Sequence, residues 1–311
     1  MKKICVLFLL ILWSCNTTPE KTQPTSSEQY ITILGTAQDA GYPHIGCQHE
    51  CCADFYNGKQ QKQRVVSLGL VDKTNRQKWL FEATPDISTQ LADLEKQVKK
   101  DNLIDGIFLT HAHIGHYTGL MYFGREALGK KGTLVYAMPK MTSFLQNNGP
   151  WSQLIDLQNI TLSSLQNDST IVLNQHLKVT PFVVPHRDEF SETVGYKIQG
   201  PNKTALFIPD INKWNVWKKD IVEEVKKVDY AFLDATFFKN GEINRPMSEI
   251  PHPFIEETVA LFAGASKEVK QKVVFIHFNH TNPALQPKAK EKEVLQKLGF
   301  RFAIDGQVFG L

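Results

Sequence analysis

The chain has 311 residues, of which 42 % are hydrophobic and 22 % are charged, the usual balance of a soluble globular protein. Its formal net charge is only +3 and no arginine-rich or lysine-rich tract stands out, so the composition gives no argument for a nucleic-acid partner. The length allows one large domain or two small ones, with a sizeable core.

The N-terminus has the pattern of a bacterial export segment. Residues 1–3 are a basic start, and residues 4–13 form an apolar run too short to span a bilayer comfortably. The run ends in Leu-Trp-Ser-Cys, which resembles a lipobox, whose cysteine becomes the lipidated first residue. An ordinary signal peptide cleaved nearby is the alternative. We therefore expect a signal peptide over residues 1–15, a lipid anchor on Cys15 and a flexible polar tether over residues 16–28.

These features predict an exported protein that is anchored to a membrane of the bacterial cell envelope through Cys15. Several acyl chains give stable anchoring, whereas one gives only marginal affinity. Replacing Cys15 with alanine should therefore move the protein from the membrane fraction to the soluble fraction of expressing cells. Unaltered membrane association of Cys15→Ala would contradict the anchor.

Alternating and apolar segments predict the elements of the first part of the chain. Strands are predicted at residues 30–34, 65–71, 78–81 and 105–109. Apolar residues at helical spacing after Pro85-Asp86 predict a helix over residues 87–98.

Three cysteines lie within six residues between the first two predicted strands. They are Cys47, Cys51 and Cys52. An odd trio in an oxidising compartment is a poor disulfide framework, and a bridge between adjacent cysteines would be strained. Metal ligation accounts for them better, with a reduced, metal-free cluster as the alternative.

Three of the ten histidines follow the predicted strand at residues 105–109. His111, His113 and His116 stand at i, i+2 and i+5. Residues i and i+2 leave a strand on the same face, and a turn can bring the third ring round to them. Imidazole suits zinc, iron or copper. We therefore predict a metal-binding loop here, with surface histidines as the alternative.

The rest of the chain continues the pattern of strands and helices. Strands are predicted at residues 133–137, 171–173, 177–184, 194–198, 205–208, 230–234, 273–277 and 300–304. Helices are predicted over residues 214–228, 254–262 and 288–298. Two groups of strands, each followed by helices, fit two packed sheets with helices outside. No boundary is visible after residue 29, so we predict one domain over residues 29–311.

The histidine loop resembles the His-x-His-x-Asp-His motif of the metallo-β-lactamase superfamily, with Gly115 in the aspartate position. Further segments resemble that family's other motifs in the same order along the chain. They are residues 82–86, 185–186, 208–210 and 276–277. The resemblance covers residues 29–311. It implies an α/β fold, the four-layer αβ/βα sandwich of that superfamily.

The resemblance also implies an active centre with two metal positions. The first would have His111, His113 and His186, the second His116 and His277, with Asp210 between the two. Asp210 and His116 are the residues expected to act in catalysis. Three histidines leave an open position for water, which is the pattern of a catalytic metal. Because Gly115 removes a carboxylate, we expect the second position to be weaker or empty, and Gly115→Asp to raise the metal content.

The cysteine segment resembles the Cys-x-Cys-x-x-Cys structural zinc loop of one branch of the superfamily. That branch includes the pyrroloquinoline quinone (PQQ) biosynthesis protein B and a cyclic-phosphate phosphodiesterase. The resemblance implies that Cys47, His49, Cys52 and His280 hold a structural zinc, with Cys51 as a spare. Residues 35–43 and 277–283 resemble the same branch.

Further polar residues are expected around the centre. Asp86 and Asp234 are predicted to orient ligating imidazoles, with turn or cap residues as the alternative. Candidates for the pocket wall, for which a solvated surface position is the alternative, are His44, Arg187, Asp188, Glu189 and His252.

The sequence therefore predicts a membrane-anchored, metal-dependent hydrolase of an ester or phosphodiester, acting on a small-molecule substrate. Zinc is the expected metal, structural and catalytic, and Fe²⁺ is possible at the active centre because both metals accept this ligand set. One alternative is an iron-dependent oxygenase related to PQQ biosynthesis, against which export argues mildly. Another is a non-catalytic metal-binding lipoprotein, suggested by the missing aspartate.

Overall fold

The computed structural model describes residues 27–244, 246–286 and 289–311. The predicted signal peptide, the lipid anchor at Cys15 and most of the tether over residues 16–28 lie outside these ranges. Within them, no helix has both the length and the apolar character that crossing a membrane requires.

The described residues form two seven-stranded mixed sheets. The first has the order β14-β1-β2-β3-β4-β5-β6, and its strands are β1 (Gln29–Gly35), β2 (Ser67–Asp72), β3 (Gln77–Phe81), β4 (Gly106–Phe108), β5 (Thr133–Ala137), β6 (Ile160–Ser164) and β14 (Val308–Gly310). The second has the order β13-β12-β11-β10-β9-β8-β7, and its strands are β7 (Ile171–Val172), β8 (Lys178–Val183), β9 (Val194–Gln199), β10 (Thr204–Ile208), β11 (Tyr230–Asp234), β12 (Val273–Ile276) and β13 (Arg301–Phe302).

Helices cover the outer faces of the two sheets. They are α1 (Glu50–Tyr56), α2 (Ile87–Gln97), α3 (Ile114–Tyr117), α4 (Pro139–Asn147), α5 (Trp151–Asp156), α6 (Ile221–Lys226), α7 (Ile255–Leu261), α8 (Lys267–Lys270) and α9 (Lys290–Lys297). Ile87, Leu91 and Leu94 of α2 are buried in the cluster that contains the outer face of the first sheet. On the second sheet, Ile221 of α6 and Ile255 of α7 are buried in the same way. These layers confirm the predicted αβ/βα sandwich.

The core between the sheets is mainly aliphatic and contains a group of aromatic side chains in contact with one another. Phe81 and Phe108 of the first sheet stack at 4.9 Å, and Tyr196 of the second meets both edge-on at 5.3 and 5.5 Å. Such edge-to-face pairs add about 0.5–1.5 kcal/mol each beyond area burial. The Tyr196 hydroxyl also donates to the carbonyl of Leu109. The second sheet therefore supports the backbone just before the histidine loop.

The helix predicted over residues 214–228 is wrong as a single element. Trp214–Val216 is a 3-10 turn, and α6 begins only at Ile221. The break follows from Asp220, whose carboxylate accepts hydrogen bonds from Val222 N (2.8 Å) and Glu223 N (3.2 Å) and caps the new helix.

The strand that completes the first sheet, β14, was not predicted from the sequence. After the short β13, the chain returns as β14 and pairs antiparallel with β1, with Tyr30 opposite Gly310. Strand β6 and helices α1, α4 and α5 were missed too. Helix α1 and helix α5 are short, with seven and six residues, whereas β6 alternates and α4 buries Met141 and Leu145 at helical spacing, so these two could have been identified from the sequence.

Candidate metal centre

The loops after β4 and β8 bring together the three histidines predicted for the first metal position. Ligand-capable nitrogens of His111, His113 and His186 all lie within 4.8 Å of one another. His111 Nε2 is 2.7 Å from His113 Nδ1. The other ring nitrogens of His111 and His186 lie 2.9 Å from Thr110 Oγ1 and 3.2 Å from Asn212 Oδ1. These contacts orient the rings, as partners of ligating histidines usually do.

A second group forms beside the first, from two histidines and two aspartates. Ligand atoms of Asp39, His116, Asp210 and His277 lie within 4.8 Å of one another. His116 Nε2 is 3.1 Å from Asp39 Oδ1 and 3.0 Å from Asp210 Oδ2. His277 Nε2 is 3.4 and 3.2 Å from the same two oxygens. The structure thus brings the predicted residues of the second position together and adds Asp39.

Asp39 gives the second group a carboxylate in addition to the shared Asp210, which the sequence analysis did not predict. It lies in the loop after β1, within residues 35–43, whose resemblance to the family branch gave Asp39 no role. The alternating pattern of β1 shows where that loop begins, but nothing in the pattern shows which loop it meets. Asp39 lies beside His116 because the loop after β1 bridges, through Ala37, to Phe278 in the loop after β12.

Asp210 belongs to the second group and also contacts two histidines of the first. Besides its contacts in the second group, its Oδ2 lies 3.6 Å from His111 Nε2 and its Oδ1 lies 3.5 Å from His186 Nε2. The side chain follows β10 and is only 2 % exposed. One carboxylate therefore lies between the two sets of imidazoles, as the family resemblance implied for the residue between two metals.

Glu82, rather than Asp86, is the carboxylate behind a site histidine. Glu82 Oε1 lies 3.3 Å from His116 Nδ1. Asp86 was predicted for such a role, but it sits at the start of α2. There its carboxylate accepts a hydrogen bond from Val65 N (2.9 Å) and pairs with Lys62. Within residues 82–86, the first residue, Glu82, therefore faces the centre.

Asp234 contacts two site histidines, one of them through a threonine. Its Oδ1 accepts a hydrogen bond from Thr236 Oγ1 (2.7 Å), and Thr236 Oγ1 lies 2.8 Å from His277 Nδ1. Its Oδ2 is 2.8 Å from His252 Nδ1, which is also 3.3 Å from Asp210 Oδ1. Burial opposes the shift, yet the charge of Asp234 raises the pKa of His252. His252 therefore favours its protonated form at the edge of the centre.

Backbone strain occurs at two of these positions. Glu82 and His277 each follow the last residue of a strand, with φ angles of 75° and 68°. Side chains other than glycine rarely adopt this left-handed region, and such strain is concentrated at functional sites. At both places the turn directs the side chain to His116 or Asp210.

The first group is electrostatically suited to bind a cation. Burial lowers the pKa of His186 to about 4, and burial with the nearby His116 lowers that of His111 well below its ordinary value. Burial alone would raise the pKa of Asp210, but the charges of His277 and His186 hold it well below its usual range. Neutral imidazoles and an ionised carboxylate are the states that bind metal.

Unpartnered buried atoms point the same way. His186 Nε2, Asp210 Oδ2 and His277 Nε2 are buried and lie within 3.0–3.5 Å of one another's groups or of His116, yet among the described residues none of them makes a hydrogen bond of normal geometry. Buried polar atoms are usually satisfied, so such a cluster calls for a ligand. His116 differs, because Glu82 and Asp39 raise its pKa well above the ordinary value, against the effect of burial. At His116 a divalent cation would therefore have to displace the imidazole proton that these carboxylates stabilise.

The predicted pocket residues are distributed unevenly around the centre. Glu189 Oε2 lies 3.9 Å from His113 Nε2, and His252 belongs to the centre itself. Arg187 and Asp188 are exposed. His44 instead stacks on His280, with ring centroids 4.3 Å apart, in the cysteine segment.

The cysteine segment forms a separate cluster, with a different membership from the one predicted. Ligand atoms of Cys47, Cys51 and His280 lie within 4.8 Å of one another, and the sulfurs of Cys47 and Cys51 are 3.6 Å apart. His49 is exposed and lies outside this group, as does the fully buried Cys52.

We therefore expect Cys51→Ser to remove about one zinc per chain and to lower the melting temperature, because metal binding is coupled to folding. Metal analysis and thermal unfolding measure the two effects. His49→Ala is the matched control and should leave both unchanged. Cys52→Ser can lower stability through lost packing alone, so its zinc content is the informative readout. Full zinc retention by Cys51→Ser would contradict this cluster as a zinc site.

Three comparisons with known proteins agree with this geometry. Residues 77–278 match the family model described as Beta-lactamase superfamily domain. The coenzyme PQQ synthesis protein B of Acinetobacter baylyi is 24 % identical over 304 residues, covering 89 % of this chain and 98 % of that protein.

Two solved structures share the fold. Zn²⁺-bound PqqB from Methylobacterium extorquens aligns with a TM-score of 0.76 at 20 % identity, over 91 % of this chain and 100 % of that one. A diphosphatase of the PhnP family aligns with a TM-score of 0.62 at 23 % identity, over 90 % and 96 %. Since the family model spans more than half of the residues, including both histidine groups, the chain belongs to the β-lactamase superfamily domain family.

Proposed function

We propose that the chain is a metal-dependent hydrolase of an ester or phosphodiester bond in a small molecule. The observation that carries the proposal is Asp210, which is buried between two groups of imidazoles, with nitrogens from both groups 3.0–3.6 Å from its carboxylate oxygens. This donor set fits a metal centre, and it fits little else, because uncompensated buried charge is costly.

The first metal position would be held by His111, His113 and His186, with Asp210 beside it. A bound zinc ion would supply Lewis acidity and lower the pKa of a water molecule to near neutrality. Zinc is favoured by the imidazole-rich donor set and by the structural similarity to Zn²⁺-bound PqqB from M. extorquens. His116 and His277 would serve the second position.

His252 is placed to hand a proton to the leaving group. Its Nδ1 is taken by Asp234 and Asp210, which fixes the ring and favours the imidazolium form. Its Nε2 forms no hydrogen bond with the described residues and so remains free to donate. A positioned acid of this kind typically contributes about 10²–10⁴-fold to the rate.

An iron-dependent oxidation is the second candidate, because the A. baylyi relative is named for coenzyme PQQ synthesis. The donor set alone accepts either metal. The argument for a non-catalytic lipoprotein loses its basis, since it rested on a missing carboxylate and Asp39 stands in the group. Export and anchoring through Cys15 stay predictions of the sequence.

The test is hydrolysis of bis(p-nitrophenyl) phosphate and p-nitrophenyl acetate by zinc-loaded protein, with oxygen uptake by iron-loaded protein measured in parallel. His113→Ala should abolish hydrolysis and remove about one metal per chain while the cysteine cluster keeps its zinc. His176→Ala is the matched control, because this histidine contacts Asp72, at the end of β2 that is remote from the centre. Oxygen uptake without hydrolysis would overturn the proposal in favour of oxidation.

The role of His252 is tested by changing the leaving group. His252→Gln should reduce kcat for diphenyl phosphate by about 10²-fold or more, since phenoxide leaves poorly without a proton. The effect on bis(p-nitrophenyl) phosphate should be much smaller, because p-nitrophenoxide needs little assistance. Equal losses on both substrates would show that His252 has a structural role only.

A further inference from the structure

Gly115 is packed directly against Asp39. A Cβ atom at position 115 would lie 2.4 Å from Asp39 Cα and 2.9 Å from both Asp39 Cβ and Asp39 Cγ. Real Cβ contacts are essentially never below 3.0 Å, so any side chain at position 115 forces the loop after β1 to move. The aspartate of the family motif therefore has no room in this chain while Asp39 is present.

The Asp39 carboxylate lies where a ligand for the second position is needed. Its Oδ1 is 3.1 Å from His116 Nε2 and 3.4 Å from His277 Nε2. With Asp210, the group then offers two imidazoles and two carboxylates. That is the same donor set that an aspartate at position 115 would have completed with Asp210.

Backbone hydrogen bonds hold Asp39 in this place. Gln38 N donates to Phe278 O (2.8 Å), and Phe278 N donates to Thr36 O (2.8 Å). The Asp39 loop is therefore tied to the residue immediately after His277. The chain then turns around Asp39. Gly41 N donates to Gln38 O (2.7 Å), and the φ of +70° at Gly41 is one that glycine adopts without strain.

We propose that Asp39 replaces the aspartate of the family's histidine motif, an arrangement that we call the exchange. Asp39 supplies the metal-ligating carboxylate from the loop after β1, and Gly115, at the aspartate position of the motif, leaves the space for it. The second metal position is then complete rather than weakened. The inference rests on the proposed function only in that the centre binds metal. The earlier expectation that Gly115→Asp would raise the metal content is reversed.

The test counts zinc by elemental analysis after equilibrium dialysis of the full chain, alongside thermal unfolding. Asp39→Asn should lose about one zinc per chain, while the zinc at the three-histidine position and at the cysteine cluster stays. Glu223→Gln is the control, an exposed carboxylate on α6 that pairs with Lys226, and should keep all its zinc. Full zinc content in Asp39→Asn would overturn the inference and leave Asp39 as an ion-pair partner of His116.

The exchange itself is tested by moving the carboxylate. Gly115→Asp alone should lose zinc, because it displaces the Asp39 loop. The double variant Asp39→Gly with Gly115→Asp removes the Cβ and Cγ contacts and should regain zinc above the level of Asp39→Asn. A double variant no better than Asp39→Asn, or a Gly115→Asp variant that gains zinc, would overturn the exchange.

These results separate the inference from the proposed function. Unmodified protein that binds the second zinc through Asp39 but hydrolyses nothing would refute the function and support the exchange. Protein that hydrolyses its substrate with a single zinc at the three-histidine position, unchanged by Asp39→Asn, would do the reverse.

Discussion

The carboxylate of Asp210, 2 % exposed, lies among imidazole rings that come from loops of both sheets. Its oxygens are within 3.0–3.6 Å of nitrogens of His111, His116, His186, His252 and His277. A carboxylate so far from water is stable only if positive charge or hydrogen bonds compensate it. The neutral state favoured for His111 and His186 leaves that compensation to a bound cation, to His116 and to His252.

The sandwich makes this meeting possible because the functional loops follow strands of both sheets. The loops after β1 and β4 come from the first sheet, and those after β8, β10 and β12 come from the second. Each sheet is assembled in the same way, with antiparallel strands followed by parallel ones. Open α/β sheets commonly bind ligands beyond the carboxyl ends of their strands, and here the loops at the carboxyl ends of strands from both sheets meet at one centre.

Two backbone segments serve the metal centre and the cysteine cluster together. The segment after β1 carries Asp39 and then Cys47, and the segment after β12 carries His277 and then His280. They are joined where Ala37 bridges to Phe278. The two clusters are therefore supported by the same pair of backbone segments, so a change in the cysteine cluster can alter the position of Asp39 and His277.

Much of the centre could be predicted from the sequence. The spacing of His111, His113 and His116 predicts that the three rings lie close together, and the order of the later motifs identifies the family. The structure accordingly brings the predicted histidines and Asp210 together. Asp39 could not be predicted, because its position depends on which loops meet at the sheet ends. The choice between Cys51 and Cys52 depended in the same way on the unrecognised start of α1.

Anomalous diffraction at the zinc edge, from crystals of the full chain grown with zinc, would locate each bound zinc ion. We expect two peaks flanking Asp210, one on His111, His113 and His186 and the other on His116, His277 and Asp39. We expect a third peak at Cys47, Cys51 and His280. A single peak in the centre, with Asp39 bonded to His116 alone, would contradict this arrangement.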